Sequence, residues 1–153
     1  MTADSHLLTD IRLTLTQSAL RPVYEVSTEM IRVAGRPGSF TDMGTVSGRD
    51  NLAQAILLRL LTPKGELAPL GHPDYGSRLH ELIGRENTAT VRNLVKLFIL
   101  ESLKAETRIA KVVSILVEPA KGARDRVDVL LRVQPVSSSQ TVTIGPFTLE
   151  LQQ

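Results

Sequence analysis

Two histidines and an aspartate, His72, Asp74 and His80, are the side chains that most resemble a set of metal ligands. A zinc site needs three or four convergent ligands. The histidines stand eight residues apart with Pro73 and Gly76 between them, which matches no standard ligand spacing. We therefore predict a turn histidine and a solvent-facing helix histidine, with no metal and no cofactor.

Nucleophilic catalysis has no clear candidate in the sequence either. The chain contains no cysteine, which removes thiolate nucleophiles, disulfides and cysteine-based zinc sites. Ser77 lies within Tyr-Gly-Ser-Arg, which is not the glycine-flanked nucleophile elbow of serine hydrolases. The remaining candidates are residues that could bind a partner.

A segment rich in proline and glycine holds the first of these candidates. Its turn-forming residues lie between two apolar segments and predict an ordered, tightly turned connection: Pro63, Gly65, Pro69, Gly71, Pro73 and Gly76. Within it, Gly76 would allow close backbone approach, and Tyr75 offers a flat apolar face with a polar tip. Together with Leu79, these residues either bind a partner or clamp a short helix onto the core.

The tripeptide Glu106-Thr107-Arg108 is the second candidate, at the point where a long helix is predicted to give way to a strand. Carbonyl groups at a helix end lack partners, and a guanidinium can bind carbonyl or carboxylate oxygens. We predict a positioned, partly buried Arg108 that fixes the helix end, with Glu106, and presents it to a neighbour. The alternative is a solvated ion pair worth about 0 to 1 kcal/mol.

Three helices are predicted to position these groups. Ser47 begins the first helix as its N-cap, and the helix runs to about Leu61. Its apolar residues point in nearly every direction, so we expect burial on several sides. Asp74 is predicted to cap a short second helix that Gly84 ends in a left-handed conformation.

The third helix, which begins at Asn87 or Thr88, carries two apolar surfaces. One is a stripe at helical spacing and is predicted to face the core: Val91, Leu94, Val95, Phe98 and Ile99. The other consists of Leu97, Leu100 and Leu103. We interpret Leu97 and Leu100 as receiving a partner's helix; alternatively, the whole helix is a central core helix.

Strands are predicted at residues 10–46 and 109–151. Ile11–Thr16 alternates as expected of a strand with one face on a core. In the C-terminal part, a turn at Pro119–Asp125 joins two antiparallel strands whose inner faces hold Val113, Ile115 and Val117, and Val127, Val129, Leu131 and Val133. The sequence thus predicts one α+β domain over residues 1–153, a small antiparallel sheet packed with two or three helices.

The last strand is predicted to be open to another chain. A strand at a sheet edge displays unpaired amides and carbonyls, which can pair with a partner's strand. The candidates on this strand, which bends at Gly145-Pro146, are Val142, Ile144, Phe147 and Leu149. The N-terminal strand around Leu13–Leu15 could serve instead.

The order of these motifs resembles one protein family. The features are a helix ending in Leu60-Leu61-Thr62, the string Gly71–Leu79, a second long helix, and an acid-x-Arg tripeptide before a valine-rich strand. Over residues 47–134 they resemble the baseplate wedge protein family of contractile phage tails, whose relatives include the lysozyme-like baseplate subunit of type VI secretion. That family usually carries Glu-Pro-Arg, whereas Thr107 here takes the place of the proline that would stop the helix.

The resemblance implies a structural component of a contractile tail or injection-machine baseplate. It implies that the charged tripeptide contacts helices of larger wedge subunits, and that an open sheet edge starts assembly of the tail sheath. It also implies six copies around the tail axis, assembled in the bacterial cytoplasm, with the tube or spike hub as a further partner.

The lysozyme-like relative directs attention to paired carboxylates, one of which a glycosidase keeps protonated. The candidates are Glu81, Glu86, Glu101 and Glu106. Glu101 and Glu106 are five residues apart and point in different directions on a helix, while Glu81 and Glu86 straddle Gly84. We therefore predict that the chain is not an enzyme; the alternatives are a peptidoglycan hydrolase and a generic soluble adaptor.

Composition argues against nucleic-acid and membrane partners. The 18 basic residues are interleaved with 16 acidic ones, and aromatic residues make up only 3%, too few for base-stacking platforms. No apolar run approaches membrane-spanning length, and Met1–His6 lacks the basic-then-apolar pattern of a signal peptide.

Overall fold

The computed structural model describes residues 7–15, 24–32, 34–35, 37–136 and 138–151. The described helices are α1 (Gly48–Leu61) and α2 (Ala89–Leu103), with 3-10 turns at Ala68–Leu70 and Leu79–Leu82. The described strands are β1 (Thr9–Ile11), β2 (Leu13–Leu15), β3 (Tyr24–Val26), β4 (Thr28–Ile31), β5 (Phe40–Met43), β6 (Thr45–Ser47), β7 (Ile109–Pro119), β8 (Arg126–Pro135) and β9 (Val142–Glu150). The predicted α+β class is confirmed.

The first six strands form three antiparallel two-stranded ribbons, which pair β1 with β6, β2 with β3, and β4 with β5. The ribbons meet at a junction of three backbone hydrogen bonds. The amide of Arg12 donates to the carbonyl of Gly44 (2.8 Å), that of Ser27 to Arg12 (2.9 Å), and that of Gly44 to Ser27 (2.7 Å). The three bonds close a ring, so each connecting residue is held by the other two.

The ribbons lie largely outside the core. The predicted strand Ile11–Thr16 is interrupted at Arg12, and Thr16 lies outside the described residues. The prediction that it keeps one face on a core is wrong, because Ile11 is 39% exposed and Leu13 is only half-buried. A two-stranded ribbon has no second layer to cover its side chains.

Helix α1 begins where the sequence predicted. Ser47 occupies the N-cap position, but its side chain makes no capping hydrogen bond, so the predicted role of its hydroxyl is wrong. Residues 51–61 are all buried or half-buried, which confirms burial on several sides. Asn51 is buried within this helix, and its Nδ2 donates to the carbonyl of Leu7 at 2.8 Å.

Helix α2 begins after Thr88, whose Oγ1 accepts a hydrogen bond from the amide of Val91 at 3.2 Å. The predicted stripe lies in the core, with Leu94 half-buried and the others buried. The three residues of the second apolar surface do not share one environment. Leu103 joins the core, whereas Leu97 is 54% exposed and Leu100 is 41% exposed.

Strands β7, β8 and β9 form an antiparallel sheet in that order, which confirms the predicted hairpin. The four inner residues of β8 are fully buried: Val127, Val129, Leu131 and Val133. Val113 was predicted to share a face with Ile115 and Val117, but it is 45% exposed. The β7–β8 register shifts between Val112 and Ser114, and the additional residue turns Val113 away from the core.

The connection from α1 to α2 is ordered by close backbone contacts. Gly76 has φ +105°, and a Cβ atom there would lie 2.6 Å from the carbonyl oxygen of Thr62. The backbones of Thr62 and Ser77 are hydrogen-bonded at 2.8 Å. Gly84 has the predicted left-handed conformation, but Asp74 caps no helix, because the 3-10 turn begins at Leu79 with Arg78 before it.

Candidate functional site

Glu106 and Arg108 form a two-point ion pair where α2 gives way to β7. The Arg108 Nε donates to Glu106 Oε1 at 2.7 Å, and a terminal nitrogen donates to Oε2 at 3.0 Å. The backbone amide of Arg108 adds a third bond to Oε1 at 3.3 Å. Glu106 is only 8% exposed, so this pair is partly buried as predicted and is not a solvated surface pair.

Thr107 does not extend the helix, although it stands where the resembling family has proline. Helix α2 already ends at Leu103. The amide of Glu106 then donates to the carbonyl of Leu103 at 3.1 Å, and the amide of Ile109 donates to that of Glu106 at 3.2 Å. These two turns redirect the chain into β7 without the proline.

Arg59 on α1 completes the group, and sequence reasoning missed it. Its guanidinium carbon lies 4.5 Å from the centre of the Tyr75 ring, a cation–π contact. One terminal nitrogen lies 3.9 Å from Glu106 Oε2, which is an ion pair but too long for a hydrogen bond. In the sequence, Arg59 only interrupts an apolar helix, and no local pattern connects it to Tyr75 or Glu106.

We call these four residues, Arg59, Tyr75, Glu106 and Arg108, the arginine cluster. Burial alone would raise the pKa of Glu106, but the hydrogen bonds and charge of Arg108 outweigh it and hold the pKa below its ordinary value. Burial also raises the pKa of Tyr75, against the opposing charge of Arg59. Glu106 therefore stays ionised, and Tyr75 stays neutral and able to donate.

Tyr24 of β3 borders the arginine cluster from the ribbon side. Burial, and secondarily Tyr75, raises the pKa of Tyr24 to about 12. Its buried hydroxyl has no hydrogen-bond partner within the described chain. The cluster thus lies where ribbons and helices meet.

A groove of about 280 Å³ lies between the segment around Arg78 and the C-terminal part of α2. Arg78 lies over the Phe98 ring at 4.4 Å and pairs with Glu81 at 2.7 Å and with Glu101 at 3.5 Å. Hydrogen bonds from Arg78 lower the pKa of Glu81. The downward shifts at Glu81 and Glu106 are opposite to the raised pKa of a general acid in glycoside hydrolysis.

The predicted partner-binding residues separate into exposed and buried groups. Leu97 and Leu100 are exposed and line a groove of about 600 Å³ between α2 and β7. Leu79 is 1% exposed and Gly76 is buried, which agrees with the alternative that they clamp the short helix to the core. Tyr75 is half-buried, in contact with Arg59.

The candidates on β9 lie in the core. Val142, Ile144, Phe147 and Leu149 are each no more than 7% exposed. β9 pairs with β8 on one side, and no described strand pairs with its other side. A partner could therefore reach this strand through its backbone edge and not through these side chains.

The histidines do not converge. His72 and Asp74 line a shallow groove with Arg59 and Tyr75. His80 was predicted to face solvent, but it is half-buried in the 3-10 turn. Over the described ranges, no three His, Cys, Asp or Glu side chains are grouped to hold a metal ion. Neither α1 nor α2, nor any other described helix, has the length and apolar character to cross a membrane.

Taken together, the described residues define a small α+β protein with a partly buried arginine cluster and strand edges that no described strand pairs. A solved structure with this fold is that of a protein from Geobacter sulfurreducens described as a "putative tail lysozyme". The two share 22% sequence identity with a TM-score of 0.58, over 68% of this chain and 91% of that one. No family model matches the chain. No curated protein matches it either.

At this level of identity, the likeness shows a shared fold. The tail-related name agrees in a coarse way with the resemblance to tail baseplate proteins, without reaching the wedge or sheath roles. It also contradicts the prediction that the chain is not an enzyme, because a protein with this fold is called a lysozyme. The arrangement of carboxylates along the sequence was too weak a basis for that exclusion.

Proposed function

We propose that the chain is a component of the baseplate of a contractile tail or injection machine, where it binds larger wedge subunits and initiates sheath assembly. The observation that carries this proposal is apolar surface left uncovered by the chain's own fold. On the ribbons, Val26 is 48%, Met30 73% and Met43 51% exposed. Met30 and Met43 belong to the same ribbon, β4–β5, and exposed apolar side chains that group together are typical of an interaction site.

The wedge contact is assigned to the groove beside α2. Leu97 and Leu100 offer an apolar surface at helical spacing, and the arginine cluster lies at the end of the same helix. A partner helix laid in this groove would bury both leucines. Because each is already about half covered, each would contribute up to about 1 to 1.5 kcal/mol, half of the value for a fully exposed side chain. Lys104 and Lys111, both exposed, border the groove.

The sheath contact is assigned to the β4–β5 ribbon in preference to β9. The side chains of β9 are already used in the core, whereas a two-stranded ribbon is at best marginally stable in water. Adding a partner's strand would pair unsatisfied backbone groups and cover Met30 and Met43.

This function is tested by making tail particles without the chain and then restoring either the wild-type chain or a variant. Particles made without the chain are expected to have missing or unattached sheaths in electron micrographs, because the sheath would have no starting surface. Normal contractile particles would rule the proposal out. The double replacement Met30→Lys and Met43→Lys should give the same defect, while Leu8→Lys, at a residue 64% exposed but outside the strands, should not.

Cell-wall hydrolysis is a second candidate function, favoured by the name of the Geobacter protein and by the groove that Glu101 and Arg78 line. The purified chain would be assayed for release of soluble fragments from peptidoglycan. Activity that disappears in Glu81→Gln or Glu101→Gln would establish this candidate. An inactive wild-type chain would remove it.

A further inference from the structure

Arg59 is charged, largely enclosed, and without a hydrogen bond among the described residues. Its side chain is 13% exposed, and its buried Nε has no partner. Both oxygens of the nearest carboxylate, Glu106, already accept from Arg108 at 2.7 and 3.0 Å. A guanidinium has five donors, and a buried donor without a hydrogen-bond partner destabilises the fold.

The surroundings hold Arg59 in one position. The guanidinium lies over the Tyr75 ring, and the residue is part of helix α1, so both contacts restrict its movement. The side chain lines a groove of about 270 Å³ whose other walls come from the 71–75 loop and Ala105. A small group can therefore reach the Arg59 side chain from the surface.

We propose that Arg59 is the binding site for a carboxylate, supplied by an Asp or Glu side chain of a partner. A carboxylate matches the planar fork of the guanidinium with two parallel hydrogen bonds. It carries a single charge, whereas a phosphate would place a larger negative charge beside Glu106 and Asp74. The partner source rests on the proposed baseplate function, but the carboxylate chemistry does not.

The test uses the Arg59 Nε–H signal in proton–nitrogen NMR spectra of the full chain, identified by its loss in Arg59→Lys. Sodium acetate is titrated against sodium chloride and inorganic phosphate at constant ionic strength. We expect saturable shifts with acetate at concentrations about tenfold or more below those of the other salts. An equal response to chloride, or a stronger one to phosphate, would overturn the assignment.

Arg108 provides an internal control, because its Nε–H is already bonded to Glu106 at 2.7 Å. Its signal should stay in place while that of Arg59 moves. If both signals move together, acetate is acting on the whole cluster and the site is not specific to Arg59. Asp74→Asn, which removes an exposed negative charge from the groove, should strengthen the acetate response about two- to fourfold.

Peptides then identify the source of the carboxylate. Acetyl-Ala-Glu-Ala-amide should shift the Arg59 signal, and acetyl-Ala-Gln-Ala-amide should not. A response to acetate without a response to the Glu peptide would overturn the partner source and assign a small free acid. Failure of these titrations leaves the particle test unaffected, and normal particles without the chain would not remove acetate binding.

Discussion

The ribbons formed by β1 to β6 and the body formed by α1, α2 and the β7–β8–β9 sheet both contain apolar residues, but they differ in how far they bury them. In the body, apolar side chains of α1, α2 and the β7–β8–β9 sheet form one buried cluster. On the ribbons, Val26, Met30 and Met43 face solvent. The difference teaches that apolar content alone does not make a core, because a ribbon of two strands lacks an opposing layer.

The arginine cluster lies along the boundary between these regions. Arg59, Tyr75, Glu106 and Arg108 belong to the body, and Tyr24 of β3 borders them from the ribbons. Substitutions in the core of the body, on the surface of the ribbons and at the boundary should therefore have different effects on stability.

The sharpest test compares truncation of one apolar residue in each region. Leu131→Ala, at a fully buried position, should lower the free energy of unfolding by about 3 to 5 kcal/mol, because it leaves a cavity. Met30→Ala, at a residue 73% exposed, should change it by less than about 0.5 kcal/mol. Denaturant unfolding followed by circular dichroism measures the free energy of unfolding of both variants. Equal losses would contradict the proposed difference between the body and the ribbons.

Glycine replacement tests how tightly the body is closed. Gly71 and Gly76 both have positive φ, but a Cβ atom at Gly71 would meet nothing within 4 Å, whereas at Gly76 it would lie 2.6 Å from a carbonyl oxygen. Gly71→Ala should cost about 1 to 2 kcal/mol from backbone strain. Gly76→Ala should cost about 1 to 3 kcal/mol more, from overpacking. Thermal unfolding of the pair would show the difference, and similar values would mean that the 62–77 contact can open.

The boundary should show a distinct pH dependence. Glu106→Gln should cost about 1.5 to 3 kcal/mol near neutral pH, by removing charge-assisted hydrogen bonds to Arg108. Because the folded-state pKa of Glu106 is lowered, its contribution is present above the ordinary value of 4.5 and is lost as pH falls through the folded-state pKa. Unfolding measured from pH 7 downward should therefore show the wild type and the variant converging.

A matched carboxylate supplies the control for that experiment. Glu150 pairs with Arg126 at 3.0 Å, but its side chain is 32% exposed. Glu150→Gln should cost no more than about 1 kcal/mol, because solvent screens the pair. If Glu106→Gln and Glu150→Gln behave alike, the cluster is not part of the buried body.

The smallest expected effect concerns the two helix starts. Thr88→Ala removes a capping bond to the amide of Val91 and should cost about 1 kcal/mol. Ser47→Ala, at the point where β6 runs into α1, removes no capping bond and should change stability by only a few tenths of a kcal/mol. A larger effect at Ser47 than at Thr88 would show that the ribbon side of α1 depends on that hydroxyl.

Local patterns in the sequence predicted the regular elements well. The spacing of Val91, Val95, Phe98 and Ile99 determines which face of α2 is buried, and the alternation in β8 determines its inner face. Both patterns repeat over several turns or residue pairs, so one exception does not change the interpretation. The glycine at position 84 was also predictable, since a left-handed helix end favours it.

Other features depended on contacts that no local pattern records. The exposure of Val113 follows from a register shift against β8, and that of Ile11 follows from the missing layer over the ribbons. Arg59 joins Tyr75 and Glu106 only because α1, the 71–75 loop and the end of α2 come together in the fold. The charged pair of Glu106 and Arg108 was predictable, because only Thr107 stands between them in the chain.

The ring of hydrogen bonds among Arg12, Ser27 and Gly44 has a mechanical consequence. Gly44 immediately precedes β6, which leads directly into α1. A force applied to a ribbon by a bound partner would therefore be transmitted to α1 through a short stretch of backbone. If the ring of hydrogen bonds stays intact, a displacement of one ribbon must move the other two ribbons as well. Tension applied far from the arginine cluster would therefore arrive at the helix that holds Arg59.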